Sequence, residues 1–377
     1  MSQLTEEQGM IGDMAARFTD DVLRPNAAKW EREHFLDRDV FVQLGELGFG
    51  GIYTQEEFGG SALSRLDAVL IFEQLSKGCI SHAAFLSIHN MATAMIDKFG
   101  DDALRAKYLP QLTKCDLLAS YCLTEPNSGS DAASLQTKAV LKGEDYVLNG
   151  SKIFISGGNF SDIYVVMART SDEGARGIST FVVPKDAPGL SFGKNEEKMG
   201  WRAQPTCMVN FDDCRIPASN LVGVIGEGFK YAMAGLDGGR LNIASASLGG
   251  AQEALDRAIA YTKDRKQFGK SISDFQATQF KLADMDIDLR ACRAMLYEAA
   301  RKLDANAPDA TPACAAAKRF VTDKGFDIAN EALQLHGGYG YLSEYEIERI
   351  VRDLRVHKIL EGTNEVMRMI VSRSLLA

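Results

Sequence analysis

A chain of 377 residues has room for two or three domains and a sizeable buried core. Its 46% apolar and 25% charged residues are ordinary for a globular protein, and 42 Lys plus Arg against 51 Asp plus Glu leave a net charge of −9. That balance builds no strong positive field, which argues against nucleic acid as a partner, and no apolar run approaches the roughly 18 residues of a membrane span. From the N-terminus, Thr5-Glu6-Glu7-Gln8 reads as a capping box that opens a helix. No signal or Arg-rich transit segment precedes it, so the chain is expected to begin at its folded domain.

Residues up to about 115 read as helical. Leu63, Leu66 and Leu70 recur at helical spacing, as do Met91, Ala94 and Met95. From 116 to about 225 short β-rich runs take over, at Tyr146–Leu148, Ile163–Met167 and Ile178–Val183. Turn signals separate them at Asn149-Gly150, Gly157-Gly158-Asn159 and Ala187-Pro188-Gly189. Helical patterning returns from 226 to 377: Ala251, Leu255, Ala258, Ile259 and Thr262 share one face, and a second stretch runs from Phe275 towards Leu303. Asp304 to Pro312 reads as a loop between two long helices. The expected domains are therefore 1–115 (α), 116–225 (β) and 226–377 (α).

Several motifs fail their tests. The seven cysteines are scattered without a Cys-x-x-Cys pair, which suits buried thiols in a reducing compartment. The five histidines include no His-Glu-x-x-His, so no metal site is expected. No Gly-x-Gly-x-x-Gly occurs, and Gly269-Lys270-Ser271 lacks the first glycine of a P-loop because position 264 is Asp. Gly189-Leu190-Ser191-Phe192-Gly193 fits Gly-x-Ser-x-Gly, but Pro184 and Pro188 precede it and a charged stretch follows. A nucleophile elbow needs a buried strand before it and a helix after it, so Ser191 reads as an ordinary strand serine.

Other segments carry more. Tyr121-Cys122-Leu123-Thr124-Glu125-Pro126-Asn127-Ser128-Gly129-Ser130-Asp131 is dense in small hydrogen-bonding residues, and Gly129 permits close backbone approach to a ligand. On physics alone a solvated turn would serve equally well. The segment resembles the flavin-binding signature of the acyl-CoA dehydrogenase family. Lys152–Ser156, Asp264–Gly269, Gln334–Gly340 and Glu361–Glu365 resemble further segments of that family, in the same order. Together they span the whole chain.

The resemblance implies an α+β fold: an N-terminal helical domain, a middle β-barrel-like domain and a C-terminal four-helix bundle. It implies FAD as cofactor and places Tyr121, Leu123, Thr124, Gly129 and Ser130 beside the flavin and its ribityl chain. Phe154 and Ser156 would flank the isoalloxazine ring, where many relatives have Trp and Thr. Arg265, Phe268, Gln276, Gln334 and Gly338 would bind the FAD pyrophosphate and adenine, partly across a subunit boundary of a homotetramer built as a dimer of dimers. Thr363 and Glu365 are further expected cofactor contacts. Ser130, Asp237, Arg240, Leu360 and Arg373 are expected on the acyl-CoA, although alone Arg373 would be an ordinary C-terminal helix cation.

The implied reaction is α,β-dehydrogenation of an acyl-CoA thioester, with Glu361 as base, flavin N5 as hydride acceptor and electron-transfer flavoprotein as the final acceptor. A base of ordinary glutamate pKa is too weak for a carbon acid, so burial is expected to raise it. In isolation Glu361 would read as a helix-initiating acid. Some relatives place their base immediately before the position of Arg240; here that residue is Gly239, which leaves Glu361 without a competitor. Leu236–Ser245, Leu335–Leu342 and Ser372–Leu376 resemble the branch acting on isobutyryl-CoA in valine catabolism. The alternatives are a dehydrogenase or oxidase for another short or 2-methyl-branched acyl-CoA, and a non-catalytic binding relative, which the acidic chain and Glu361 disfavour. The expected compartment is the cytoplasm for a bacterial source and the mitochondrial matrix for a processed eukaryotic form.

Overall fold

The computed structural model describes residues 4–377. Thr5 does cap the first helix, α1 (Glu6–Phe18), through the reciprocal bonds of the capping box with Gln8. One π turn at Thr19–Leu23 joins it to α2 (Arg24–Glu33). Then follow α3 (Arg38–Glu46), α4 (Arg65–Gly78), α5 (Ile80–Phe99) and α6 (Asp102–Thr113). Helix α5 is buried on most of its circumference, and its apolar residues therefore spread around it rather than forming one stripe.

The middle region forms one eight-stranded mixed sheet: β1 (Ala119–Cys122), β2 (Lys138–Lys142), β3 (Asp145–Ser156), β4 (Ile163–Arg169), β5 (Ile178–Pro184), β6 (Leu190–Phe192), β7 (Thr206–Pro217) and β8 (Leu221–Val222). The strand order is β6-β7-β3-β2-β4-β5-β8, with β1 parallel to β4. The sheet curls on itself, so that Tyr146 of β3 lies 4.7 Å from Phe181 of β5, ring to ring. Tyr164, Val166 and Ala168 of β4 face this inner core, whereas Ile163, Val165 and Met167 pack towards α5 and α6. Both faces of β4 are covered, which is why it is apolar without alternation.

Asn149-Gly150 is not a turn. The pair lies inside β3, where the register against β7 slips between Leu148 and Gly150. Gly150 has φ +144°, and a Cβ there would fall 2.5 Å from Thr137 Oγ1, so the glycine serves a bulge and a close approach. The reversal between β2 and β3 falls instead at Gly143-Glu144.

Three long helices build the C-terminal region: α7 (Gly228–Asp264), α8 (Gln276–Asp304) and α9 (Ala310–Leu335), with the shorter α10 (Ile347–Arg355) and α11 (Asn364–Leu376) laid against α9. The expected loop at 304–312 shrinks to residues 305–309. Pro312 falls in the first turn of α9, where its missing N–H breaks no helical bond. Gly269-Lys270-Ser271 belongs to a small hairpin of β9 (Lys266–Gln267) and β10 (Lys270–Ser271), whose two-residue tip is Phe268-Gly269, both at positive φ. Helices α4 and α5 dock on α7, and Asn242 ties α7 to α5 and to the segment before α4. It accepts from Tyr53 Oη at 2.8 Å and donates to Ser87 Oγ at 3.0 Å. All seven cysteines are free and buried, and among the described residues no helix is long and apolar enough to cross a membrane.

Candidate active site

A cavity of about 320 Å³ opens where the sheet meets α5, α7 and the connection from α10 to α11. Strand β1 and the loop after it contribute Tyr121, Leu123, Thr124, Gly129 and Ser130; the end of β3 contributes Phe154 and Ser156. Opposite them stand Arg240 of α7 and Leu360 and Glu361 of the connecting loop. Ile88, Met91, Phe229 and Met233 make the remaining wall apolar. Residues far apart in sequence thus share one wall, because the sheet ends and the helix faces meet here.

Glu361 has the chemistry of a base. Its Oε2 is buried without a hydrogen-bond partner. Burial pushes its carboxyl up to about 7, against the opposing pull of the Lys318 and Arg240 cations. Glu361 has φ +54° and Gly362 φ +89°, a consecutive left-handed pair that turns the chain sharply. Thr363 then caps α11 by accepting from Val366 N at 3.3 Å. A Cβ on Gly239 would lie 2.1 Å from Glu361 Oε2, so the carboxylate occupies the space that any side chain at 239 would need. Arg240 is buried; it bonds Asp237 Oδ1 at 2.6 Å, while Thr311 Oγ1 donates to Asp237 Oδ2.

The family models for the acyl-CoA dehydrogenase N-terminal, middle and C-terminal domains match residues 5–116, 120–214 and 226–376. The chain belongs to the acyl-CoA dehydrogenase family. It is 53% and 52% identical to the mitochondrial isobutyryl-CoA dehydrogenases of Dictyostelium discoideum and Bos taurus, over 99% of this chain and 90% of each relative. The butyryl-CoA dehydrogenase of Megasphaera elsdenii superposes with a TM-score of 0.97 at 39% identity, covering 100% of both chains.

As an acyl-CoA dehydrogenase the chain is an FAD-dependent oxidoreductase acting on a CH–CH bond, and its surfaces suit that cofactor. Phe154 has φ +56° where the β3–β7 register slips again, and the residue is 64% exposed at the cavity. Gly129 and Gly338 have no atom within 4 Å of an added Cβ and no left-handed φ, so nothing within the chain demands a glycine there. Open space beside glycine suits backbone approach by a bulky ligand. The Tyr121 hydroxyl, like Glu361 Oε2, is buried and unpartnered beside the cavity.

The expected site residues fall into separate groups. Tyr121, Leu123, Thr124, Gly129, Ser130, Phe154, Ser156, Arg240, Leu360 and Glu361 line the cavity. Asp237 stands behind Arg240. Arg265, Gln334 and Gly338 line a second hollow of about 480 Å³ at the far ends of α7 and α9. Thr363 and Glu365 border a third, charged hollow beside α9. Phe268, 94% exposed at its hairpin tip, Gln276 at the start of α8, and Arg373 near the end of α11 border none of these three. His336 is packed, with Nδ1 2.7 Å from Ala332 O and its ring stacked on Tyr261.

Two buried lysines that sequence reasoning gave no role organise the site. Lys152, within β3, is fully buried and donates to Glu125 Oε1 at 2.7 Å and to Leu123 O at 3.1 Å. Burial alone would raise the Glu125 carboxyl, but Lys152 and bonds from Thr137 and Gln136 outweigh it and hold it below its ordinary value. The pair ties the Tyr121–Asp131 segment to the sheet. Glu125→Ala would leave the Lys152 charge unpaired inside the protein, at a cost of about 3–5 kcal/mol. We expect a marked fall in the unfolding midpoint and reduced FAD content in the purified protein. The second, Lys318 of α9, lies under the Glu361 loop.

Proposed function

We propose that this chain oxidises isobutyryl-CoA to methacrylyl-CoA and that Glu361 removes the α-proton. The observation that carries the assignment of the base is the unpartnered, buried Glu361 carboxylate, raised to about 7 and facing an apolar cavity. A base poised near neutrality suits proton abstraction from carbon. FAD, when bound, supplies the hydride acceptor. Tyr121, Leu123, Thr124, Gly129, Ser130, Phe154 and Ser156 would hold its ring and ribityl chain. The Glu361 N–H has no intramolecular acceptor among the described residues, which leaves it free to receive the thioester oxygen and acidify the α-proton. Asp237 orients Arg240 at the cavity edge, and Ser130, Arg240 and Arg373 are assigned to the CoA portion. Leu360 supplies a branched wall beside a short acyl group.

We assign the Arg265, Phe268, Gln276, Gln334 and Gly338 surface to the pyrophosphate and adenine end of FAD, partly that of a neighbouring subunit in a homotetramer. Its support is the exposure of Phe268 and Gln276 and their separation from the cavity within one chain. Thr363 and Glu365 complete the cofactor contacts. The domains are assigned as 1–115, 116–225 and 226–377. Electron-transfer flavoprotein is the assigned acceptor; the compartment is the matrix in a eukaryote and the cytoplasm in a bacterium.

The substrate test is anaerobic flavin bleaching by isobutyryl-CoA, butyryl-CoA and 2-methylbutyryl-CoA, followed by reoxidation with oxygen or electron-transfer flavoprotein. Isobutyryl-CoA is expected to give the highest second-order constant, and the flavoprotein to sustain turnover. Preference for butyryl-CoA would overturn the isobutyryl assignment, and rapid turnover with oxygen alone would overturn that of the acceptor.

A further inference from the structure

Glu361 and Gly362 are both left-handed, and for a glutamate that conformation persists only where its surroundings enforce it. Two cations are placed to do so. Arg240 Nε lies 3.4 Å from the Glu361 carbonyl, and Lys318 Nζ donates to the next carbonyl, Gly362 O, at 2.8 Å. The first contact is long. The second is short and comes from a lysine with no solvent exposure. Lys318 also donates to Asn364 Oδ1 at 3.0 Å, and Asn364 Nδ2 donates back to α9 at Thr322 Oγ1 (3.0 Å) and Asp323 Oδ1 (2.9 Å). The turn is thereby pinned on both sides of Thr363 to one rigid helix.

We infer that Lys318 is a positioning residue for proton abstraction: its ammonium group holds the Gly362 carbonyl and so fixes the left-handed turn that aims the Glu361 carboxylate over Gly239. The inference rests on Glu361 being the base. A buried lysine placed only to fill space would be a poor choice, because desolvating an ammonium is unfavourable unless its donors are used. Burial does lower Lys318, to about 8, against the attraction of Glu361.

The same placement gives the lysine a second effect. The charged and titratable groups around the Glu361 carboxylate are Lys318 on α9, Arg240 on α7, paired with Asp237, and the Tyr121 hydroxyl on β1; Asp323 and Glu365 act on Lys318. Lys318 and Arg240 favour the ionised base. Removing Lys318 therefore raises the pH below which the base is protonated and inactive. That shift reports the lysine's charge, whereas its hold on Gly362 O is read separately, from the rate recovered when a neutral N–H donor takes its place.

The test uses the purified holoenzyme and its Lys318→Met, Lys318→Gln and Glu361→Gln variants. It measures FAD content, the unfolding midpoint, and anaerobic bleaching by isobutyryl-CoA across pH. Lys318→Met is expected to lose about 100-fold in bleaching, the effect of an ångström-scale misplacement, with its acid limb above the wild-type limb. Lys318→Gln keeps an N–H donor for Gly362 O but no charge. It should recover most of the rate while sharing the displaced limb, and it decides the matter if the Met variant does not hold FAD. Near wild-type bleaching with an unmoved limb in a variant that holds FAD overturns the inference. So does a Lys318→Gln variant that holds FAD yet recovers none of the rate. Normal bleaching in Glu361→Gln refutes the assignment of the base itself, whatever the Lys318 variants show.

Discussion

Glu361→Gln is expected to yield a folded, FAD-loaded protein whose flavin isobutyryl-CoA fails to bleach, the rate falling by about 10³-fold or more. General-base contributions reach about 10²–10⁴-fold, and the amide offers no basic atom of comparable strength. In the unsubstituted protein the acid limb of kcat/KM should stand near 7, because the buried carboxyl is pushed up to about 7 and must lose its proton to act. The same displacement has a stability consequence. Between its ordinary 4.5 and about 7 the folded chain retains a proton that the unfolded chain has released. Stability therefore falls as pH rises through that window, and above it the ionised carboxylate costs the fold on the order of 3 kcal/mol. Glutamine carries no such penalty. The variant's unfolding midpoint should match wild type near pH 4 and exceed it above pH 7. A midpoint lower at pH 8 than at pH 5, relative to wild type, would contradict the buried, ionising carboxylate.

Much of this site could be read from the chain because it lies in short segments. Residue types alone leave a solvated turn at 121–131 and a helix-initiating acid at Glu361. It is the ordered resemblance of those segments to one family that singles out Tyr121, Leu123, Thr124, Gly129, Ser130, Phe154, Ser156 and Glu361, which the structure brings to one cavity. Local turn chemistry agrees with the structure at Thr363, a capping residue type that caps α11, and at Gly362, whose φ of +89° needs no side chain in the way. It misled at Asn149-Gly150, since a strand bulge and a hairpin turn ask for the same left-handed tolerance and only pairing with β7 tells them apart. Lys152 and Lys318 were illegible for another reason. A lysine in an apolar strand or helix gives no sign in sequence that its ammonium meets Glu125 or Gly362 O, residues 27 and 44 positions away. The left-handed backbone of Glu361 itself was equally hidden, because it is enforced by α7 and α9 rather than by its neighbours in the chain.

Gly239→Ala is the sharpest separation of activity from stability that the geometry offers. Helix α7 carries Gly235, Gly238 and Gly239 within two turns, although each glycine inside a helix costs roughly 1 kcal/mol relative to alanine. Helix propensity cannot explain them. At Gly239 an added Cβ would sit 2.1 Å from Glu361 Oε2 and 2.9 Å from its Cδ. Real atoms do not approach so closely, so either the helix shifts or the carboxylate swings away. The carboxylate is the end of a flexible side chain facing a cavity, whereas α7 is packed against α4, α5, α8 and α9. The side chain therefore yields. We expect Gly239→Ala to keep FAD and to unfold no earlier than wild type, since helix propensity offsets the local crowding. Its bleaching by isobutyryl-CoA should nevertheless fall by about 100-fold, as a displacement of the base by an ångström or so would produce. Binding of a non-reacting isobutyryl-CoA analogue should change far less than the rate, because the methyl group meets the base rather than the apolar wall. Full bleaching in this variant would mean that the reacting carboxylate does not stand over Gly239.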